Sequence, residues 1–298
     1  MQIDEEAKAL LTAAALDIQL RFPELFEPFP VRIVPIAESL GIKVIRTSTM
    51  SGRAQLKIVD PATSTQQTTI YVSRAFGSDY ARFAVAHEIG HYYLHTYAPE
   101  INRRISAPER ELFCHRFAGE ILIPQHRVAK LKDQLFAIKD AEGWVRLAGT
   151  VGISVAALFQ ICHFHRDDWL NGCPIVILLV RRSSHPRPAK NNLERSGPKL
   201  RVRVALFDGH RFYFPTLQGI SSLLKPTDWL LGLQDGRAST NLVEIRYSSR
   251  TAAKKGREQG EAPKFELKQE LVPVSAMRLL PVEGERNSNF VLVLSLGQ

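Results

Sequence analysis

The sequence predicts an α+β protein with four stretches: a helix-rich N-terminal domain over residues 1–130, a helical segment with a closing strand over 131–182, a linker over 183–199 and a β-rich domain over 200–298. Three observations predict it. Two segments of the first half carry apolar residues three and four apart, the spacing of one helix face. The last third carries short β-branched and aromatic runs separated by turn residues. Between them, Ser183-Ser184-His185-Pro186-Arg187-Pro188-Ala189-Lys190 has the composition of an exposed connection. At 298 residues and 45% hydrophobic content the chain is long enough for two or three units.

The first helix of interest is Arg82-Phe83-Ala84-Val85-Ala86-His87-Glu88-Ile89-Gly90-His91-Tyr92-Tyr93-Leu94-His95, with Ser78-Asp79 upstream as its N-cap signal. His87 and His91 are four apart, so both imidazoles lie on one face and can point at a single ion. Glu88 lies beside them. This is the HExxH arrangement, in which two histidines hold Zn²⁺ and the glutamate takes a proton from the metal-bound water. The flanking Ala84, Val85, Ala86, Ile89 and Leu94 place the motif on a buried helix, where unpaired polar side chains are costly. A solvated helix with two surface histidines is the plainer alternative.

A catalytic zinc site needs a third protein ligand and an open position. His95 continues the spacing of four, but it stands about 12 Å from His87 along the axis at 1.5 Å per residue. Zn–N bonds are about 2.1 Å, so three such residues on one straight helix cannot converge; His95 is expected in a supporting or packing role. The second helix supplies a better candidate. Ser106-Ala107-Pro108-Glu109 reads as a capping box, and the helix stops at Pro124. Glu111, Cys114, His115, Ala118 and Leu122 share one face, apolar except for Glu111 and His115. A carboxylate on such a stripe is a natural zinc ligand; a salt bridge to an arginine is the alternative. Glu109 and Glu120 fall on other faces and are expected to be solvated.

Residues 143–161 form a helix-turn-helix-like pattern, with Gly152 at the turn, Ser154 capping the second helix, and Leu147, Val151, Ile153, Leu158 and Ile161 as its apolar contacts. The exposed positions of the second helix would be Ser154, Val155, Ala156, Phe159 and Gln160. Base readout favours Arg, Lys, Asn and Gln, and only Gln160 qualifies. The segment is therefore read as a packing or protein-docking module, with Val155 and Phe159 placed to meet a partner or another domain; direct DNA binding is possible and is the less favoured reading.

In the C-terminal part, residues 174–180 are a buried-strand signal. Residues 201–207 and 211–214 flank Asp208-Gly209, a hairpin signal. Strands are also expected at 242–247, 265–272 and 290–296, with a polar, basic loop over 248–264. No catalytic constellation stands out there, and a sensory or partner-binding role is expected.

Charge is unevenly placed. Lys+Arg minus Asp+Glu is 15 − 14 = +1 for residues 1–130, 4 − 5 = −1 for 131–170 and 20 − 11 = +9 for 171–298, which sums to the net +9. A basic C-terminal part can attract nucleic acid or an acidic partner, or be an ordinary solvated face. Met1-Gln2-Ile3-Asp4-Glu5-Glu6 is acidic and no apolar run approaches 18 residues, so neither a signal peptide nor a membrane span is expected. Cys114, Cys162 and Cys173 form no metal-like pattern, and a reduced, cytoplasmic setting is expected.

These residues resemble the ImmA/IrrE-type zinc metallopeptidases, whose members carry HExGH, a Leu-His shortly after, and a second helix of the form E-x-x-A-N-x-F-A-x-x-L-L-x-P. The chain matches with His87-Glu88-Ile89-Gly90-His91, Leu94-His95, and Glu111, Cys114, His115, Phe117, Ala118, Ile121, Leu122 and Pro124. Pro30 to Ile33 with 36–44 looks like the family's helix-then-strand opening, and Thr69-Ile70-Tyr71-Val72 like the strand before the site helix. The resemblance spans roughly residues 1–130, more loosely to 170. It implies a zincin-like domain, Glu111 as third ligand, Zn²⁺ as cofactor, Glu88 as catalytic base, and a transcriptional repressor of helix-turn-helix type as substrate, cut to release stress or mobile-element genes. The family's Asn is His115 here. It could orient a ligand, donate to a substrate carbonyl or replace Glu111. Tyr92, Tyr93 and His115 are candidates for stabilising an oxyanion. The alternatives of another class are a DNA-binding or sensor protein with a structural or vestigial zinc site, and an antitoxin-like scaffold without metal.

Overall fold

The computed structural model describes residues 5–50, 54–59, 67–75, 77–165, 169–170, 175–182, 200–206, 212–213, 237–250, 265–279 and 289–295. The chain divides into two compact units, one of residues 1–131 and 146–161, the other of 132–145 and 162–298. This division differs from sequence boundaries at 130 and 182. Contacts, not chain order, define the units: most of the helical pair after residue 140 packs in the first unit, and the strand at 175–182 belongs to the second.

The first unit opens with α1 (Glu5–Arg21), α2 (Pro23–Phe26) and α3 (Ile33–Ser39). Ala7, Leu11, Ala14, Ala15 and Ile18 give α1 its buried stripe, which packs on α6 (Ala107–Leu122). Three strands follow: β1 (Lys43–Thr47), β2 (Ala54–Lys57) and β3 (Thr69–Ser73), in the order β1-β3-β2. β3 is central, parallel to β1 and antiparallel to β2, with Leu56 opposite Ile70. Four of its five residues are buried, as a strand covered on both faces requires. β2 forms the edge.

α4 (Ser78–Tyr97) crosses this sheet and packs on α3, β2, β3 and α6. Gly77, not Ser78, is its N-cap, and no side chain caps it; the hydroxyl of Ser78 instead donates to Asp79. α5 (Pro99–Arg104) is short. α6 starts at the expected capping box: Ser106 Oγ accepts from the Glu109 N–H, and the Glu109 carboxylate accepts from the Ser106 N–H. It buries Leu112, Phe113, Cys114, Phe117, Ala118, Ile121 and Leu122. Glu120 departs from expectation. It is half-buried, and burial raises its carboxyl pKa while Arg116 opposes the rise.

α7 (Gln125–Phe136) leads to α8 (Ala141–Val151) and α9 (Val155–Phe164), which meet at a bend of 88°. Gly152 sits between them at φ +69°, a left-handed conformation open to glycine, and Ser154 Oγ accepts from the Ala157 N–H. A Cβ on Gly152 would lie 2.7 Å from Pro30. The exposure expected along α9 is corrected: Phe159 and Ser154 are buried, and Val155, Ala156 and Gln160 are half-buried.

The second unit holds an antiparallel sheet in the order β5-β4-β9-β8-β7-β6. Its strands are β4 (Ile175–Arg182), β5 (Leu200–Leu206), β6 (Phe212–Tyr213), β7 (Ala238–Arg250), β8 (Phe265–Arg278) and β9 (Asn289–Ser295). The expected hairpin across Asp208-Gly209 is not formed. β5 pairs with β4 and β6 pairs with β7, so these two strands lie at opposite edges. The turn residues themselves, the linker at 183–199 and residues 251–264 of the expected loop lie outside the described residues; 248–250 are the end of β7. Ser275 is buried in β8 and its Oγ accepts from the Ala141 N–H. Among the described residues no single helix is long and apolar enough to cross a membrane.

Candidate metal centre

Gly90 brings the site together. A Cβ there would lie 3.1 Å from the Cys114 Cα and 3.2 Å from the Phe117 ring, tighter than most packed carbon contacts, so a neighbour would have to give way. Without it α4 and α6 approach closely at Phe117, whose ring stacks on Phe113 one turn back on α6. Glu111, one turn before Cys114 and His115, is thereby carried to the two histidines one turn apart on α4.

His87 Nε2 and His91 Nε2 are 3.1 Å apart. Glu111 Oε2 is 3.3 Å from His87 Nε2, and its Oε1 is 3.3 Å from His91 Nε2. Two ligand atoms about 2.1 Å from one tetrahedral zinc ion are separated by about 3.4 Å, so the three donors are spaced to share one ion. Their chemistry agrees. Burial, with His115 and His91 nearby, depresses the His87 pKa to about 3. Burial also lowers the His91 pKa, against the Glu111 carboxylate. Neutral imidazoles beside a carboxylate are a zinc donor set. The side chains of His87 and His91 are 13% and 22% exposed, that of Glu111 56%, so the cluster opens on the Glu111 side.

Glu88 points at the sheet. Its Oε2 accepts the Leu56 N–H of edge strand β2 at 3.0 Å. Burial raises its carboxyl pKa to about 7; the Leu56 hydrogen bond works against the rise and Glu111 adds to it. A carboxyl with a pKa near neutrality exchanges protons readily at physiological pH. β2 and this bond are absent from the sequence reading. The alternation Ala54-Gln55-Leu56-Lys57 is the signal that would have found the strand.

The remaining candidates separate. His115 Nδ1 is 2.6 Å from the Glu111 carbonyl oxygen, and its ring stands edge-on to His87 with centroids 4.5 Å apart. His95 is exposed, on the turn beyond His91. Tyr93 packs on Tyr97 and Phe117, and Tyr92 meets Tyr97. Among the described residues neither tyrosine has a ring or hydrogen-bond contact with His87, Glu88 or His91; both rings pack on Tyr97. Cys114 Sγ comes within 4.8 Å of His87 and His91 nitrogens. Burial raises its thiol pKa strongly, which keeps it protonated and a poor ligand.

No curated protein sequence matches the chain significantly. Among solved structures, a Mycobacterium tuberculosis transcriptional regulator aligns with a TM-score of 0.52 at 12% identity, covering 95% of this chain and 87% of that one; at that identity the likeness is one of fold. Residues 37–162 match a peptidase family described as the IrrE N-terminal-like domain, which takes in β1–β3, α4–α8 and most of α9. Over residues 37–162 this match supports the resemblance to the ImmA/IrrE family carried by the motifs on α4 and α6.

Proposed function

We propose that the chain is a zinc-dependent endopeptidase of regulatory type, with His87, His91 and Glu111 as the ligands and Glu88 as the general base. One observation carries this reading: three donors 3.1–3.3 Å apart lie beside a carboxyl group poised near pKa 7. Zinc bound there supplies Lewis acidity toward a peptide carbonyl and lowers the pKa of water. The protein's own groups do the rest. The half-buried Glu88 carboxylate accepts a proton from the attacking water and returns it to the departing amine. Leu56 holds one of its oxygens and so fixes the carboxylate's orientation. The edge of β2 beside Glu88 presents backbone groups to an extended peptide.

The substrate we propose is a transcriptional repressor with a helix-turn-helix domain, cleaved in the cytoplasm to release stress or mobile-element genes. The family resemblance implies it, and the structurally similar Mycobacterium tuberculosis protein is described as a transcriptional regulator. The test is incubation of zinc-loaded protein with the repressor encoded beside its gene, with and without chelator, and with Glu88→Gln. Cleavage that requires metal and Glu88 is expected. A Glu88→Gln protein that binds zinc and retains every effect of the wild type would instead establish the sensor reading, with zinc in a non-catalytic role.

A further inference from the structure

The nitrogen of His87 turned away from the ligand cluster lacks a partner. Nε2 faces His91 and Glu111. Nδ1 is buried and makes no hydrogen bond. A histidine that binds metal through one nitrogen ordinarily donates the other N–H to a group that fixes its tautomer and ring orientation. The group beside it is His115, whose ring stands edge-on at 4.5 Å between centroids. One nitrogen of His87, one nitrogen of His115 and a Glu111 carboxylate oxygen lie within 4.8 Å of one another, so the two rings are near enough for a water to join them.

The proton on His115 is placed by its neighbour. Its Nδ1 is 2.6 Å from the Glu111 carbonyl oxygen, one turn back on α6. A carbonyl only accepts, so Nδ1 carries the hydrogen, and in the neutral ring Nε2 carries the lone pair. Resting on the zinc reading above, we propose that His115 is a positioning residue: its Nε2 accepts from His87 Nδ1–H through one bridging water, and its Nδ1–H ties the pair to the backbone of Glu111. Glu111 then serves the site twice. Its carboxylate meets the ion, and its carbonyl oxygen anchors the ring that orients His87. An acceptor at residue 115 couples the α4 ligands to the α6 ligand.

The test compares wild type, His115→Ala and His115→Gln, whose amide oxygen reaches about as far as Nε2. Zinc affinity is measured by competition with a chromophoric chelator, and the cobalt-substituted proteins by visible absorption. His115→Ala is expected to bind zinc about 10- to 100-fold more weakly with an unchanged melting temperature for the metal-free protein. His115→Gln is expected to recover most of the affinity, and both cobalt spectra are expected to keep the wild-type ligand number. Wild-type affinity in His115→Ala overturns the proposal. Affinity in His115→Gln as low as in His115→Ala overturns the acceptor role. A cobalt spectrum that loses one nitrogen ligand makes His115 a ligand itself and also overturns it. If His115→Ala fails to fold, His115→Gln against the shorter His115→Asn carries the comparison, with equal affinities refuting the dependence on reach. A wild type without zinc defeats the proposed function first, and this inference with it.

Discussion

Replacing Glu88 by Gln keeps the shape of the side chain and removes a charge that the fold resists. Burial lifts the carboxyl pKa from 4.5 to about 7. A shift of about 2.5 units corresponds to roughly 3.4 kcal/mol, and solvent at this half-buried position reduces it to about 2–3 kcal/mol. The folded state binds the proton more tightly than the unfolded chain does. The stability this contributes is therefore present below pH 4.5 and lost as pH rises through about 7. Gln does not titrate. Chelator-treated Glu88→Gln is expected to match wild type near pH 4.5, apart from a fixed offset, and to gain about 2 kcal/mol on it by pH 8. Urea unfolding of both proteins across that range measures the gain. His87 acts with the opposite sign, its stability present above pH 6.5 and lost toward about 3, but it is common to both proteins and cancels in the difference. A difference that stays flat with pH refutes the desolvated carboxylate, and with it the reason for choosing Glu88 as a base active near neutrality.

Other consequences follow from the same geometry. Glu111→Gln removes the anionic donor and is expected to weaken zinc binding by about 100-fold or more, beyond the 10- to 100-fold of an outer-shell change; chelator competition reads it. With zinc bound, Glu88→Gln is expected to bind metal within a few-fold of wild type and to lose about 10²–10⁴ in cleavage rate. Gly90→Ala gains up to about 1 kcal/mol of helix propensity but forces a methyl against the Cys114 backbone. A net loss of about 1–3 kcal/mol with weaker zinc binding is expected, and an unchanged melting temperature would remove the close approach of α4 and α6 from the account. Gly152→Ala adds the cost of a left-handed alanine, about 1–2 kcal/mol, to a contact with Pro30, and thermal melts should show the loss.

What the sequence made legible was local. The spacing His87-x-x-x-His91, the face that carries Glu111, the Ser106–Glu109 box and the cap at Ser154 follow from helix geometry within a few residues of each other. Non-local pairing escaped. β2 is four residues long, and its significance lies in an edge N–H directed at Glu88, 32 positions away. Asp208-Gly209 predicts a hairpin from turn chemistry alone, but β5 and β6 find longer partners: β4 opens with six consecutive apolar residues, and β7 spans 13 residues. Phe159 is buried, which the spacing of a helix with one open face does not anticipate. Gly90 was matched as part of a motif, while its reason, the Cys114 backbone, lies on another helix.

The place of α8 and α9 in the first unit bears on what the bent pair does. α9 contains no Lys or Arg, and Ala157, Leu158, Phe159 and Ile161 are buried. A recognition helix needs an open face, and DNA affinity rests largely on basic contacts to phosphate. The corner between the helices is itself occupied: the place a Cβ would take at Gly152 meets Pro30 and, at 3.1 Å, Arg82 Nε. Arg82 stands on α4 five residues before His87 and donates to the Val31 carbonyl at 2.6 Å. The corner therefore braces the start of the site helix against the segment that leads into α3. The family match is in keeping with this, since it runs through α8 and into α9 to residue 162 and does not stop at the end of α6. The pair reads as a closing element of the first unit, and loosening it at Gly152 should be felt at His87 and His91 as weaker metal binding as well as lost stability.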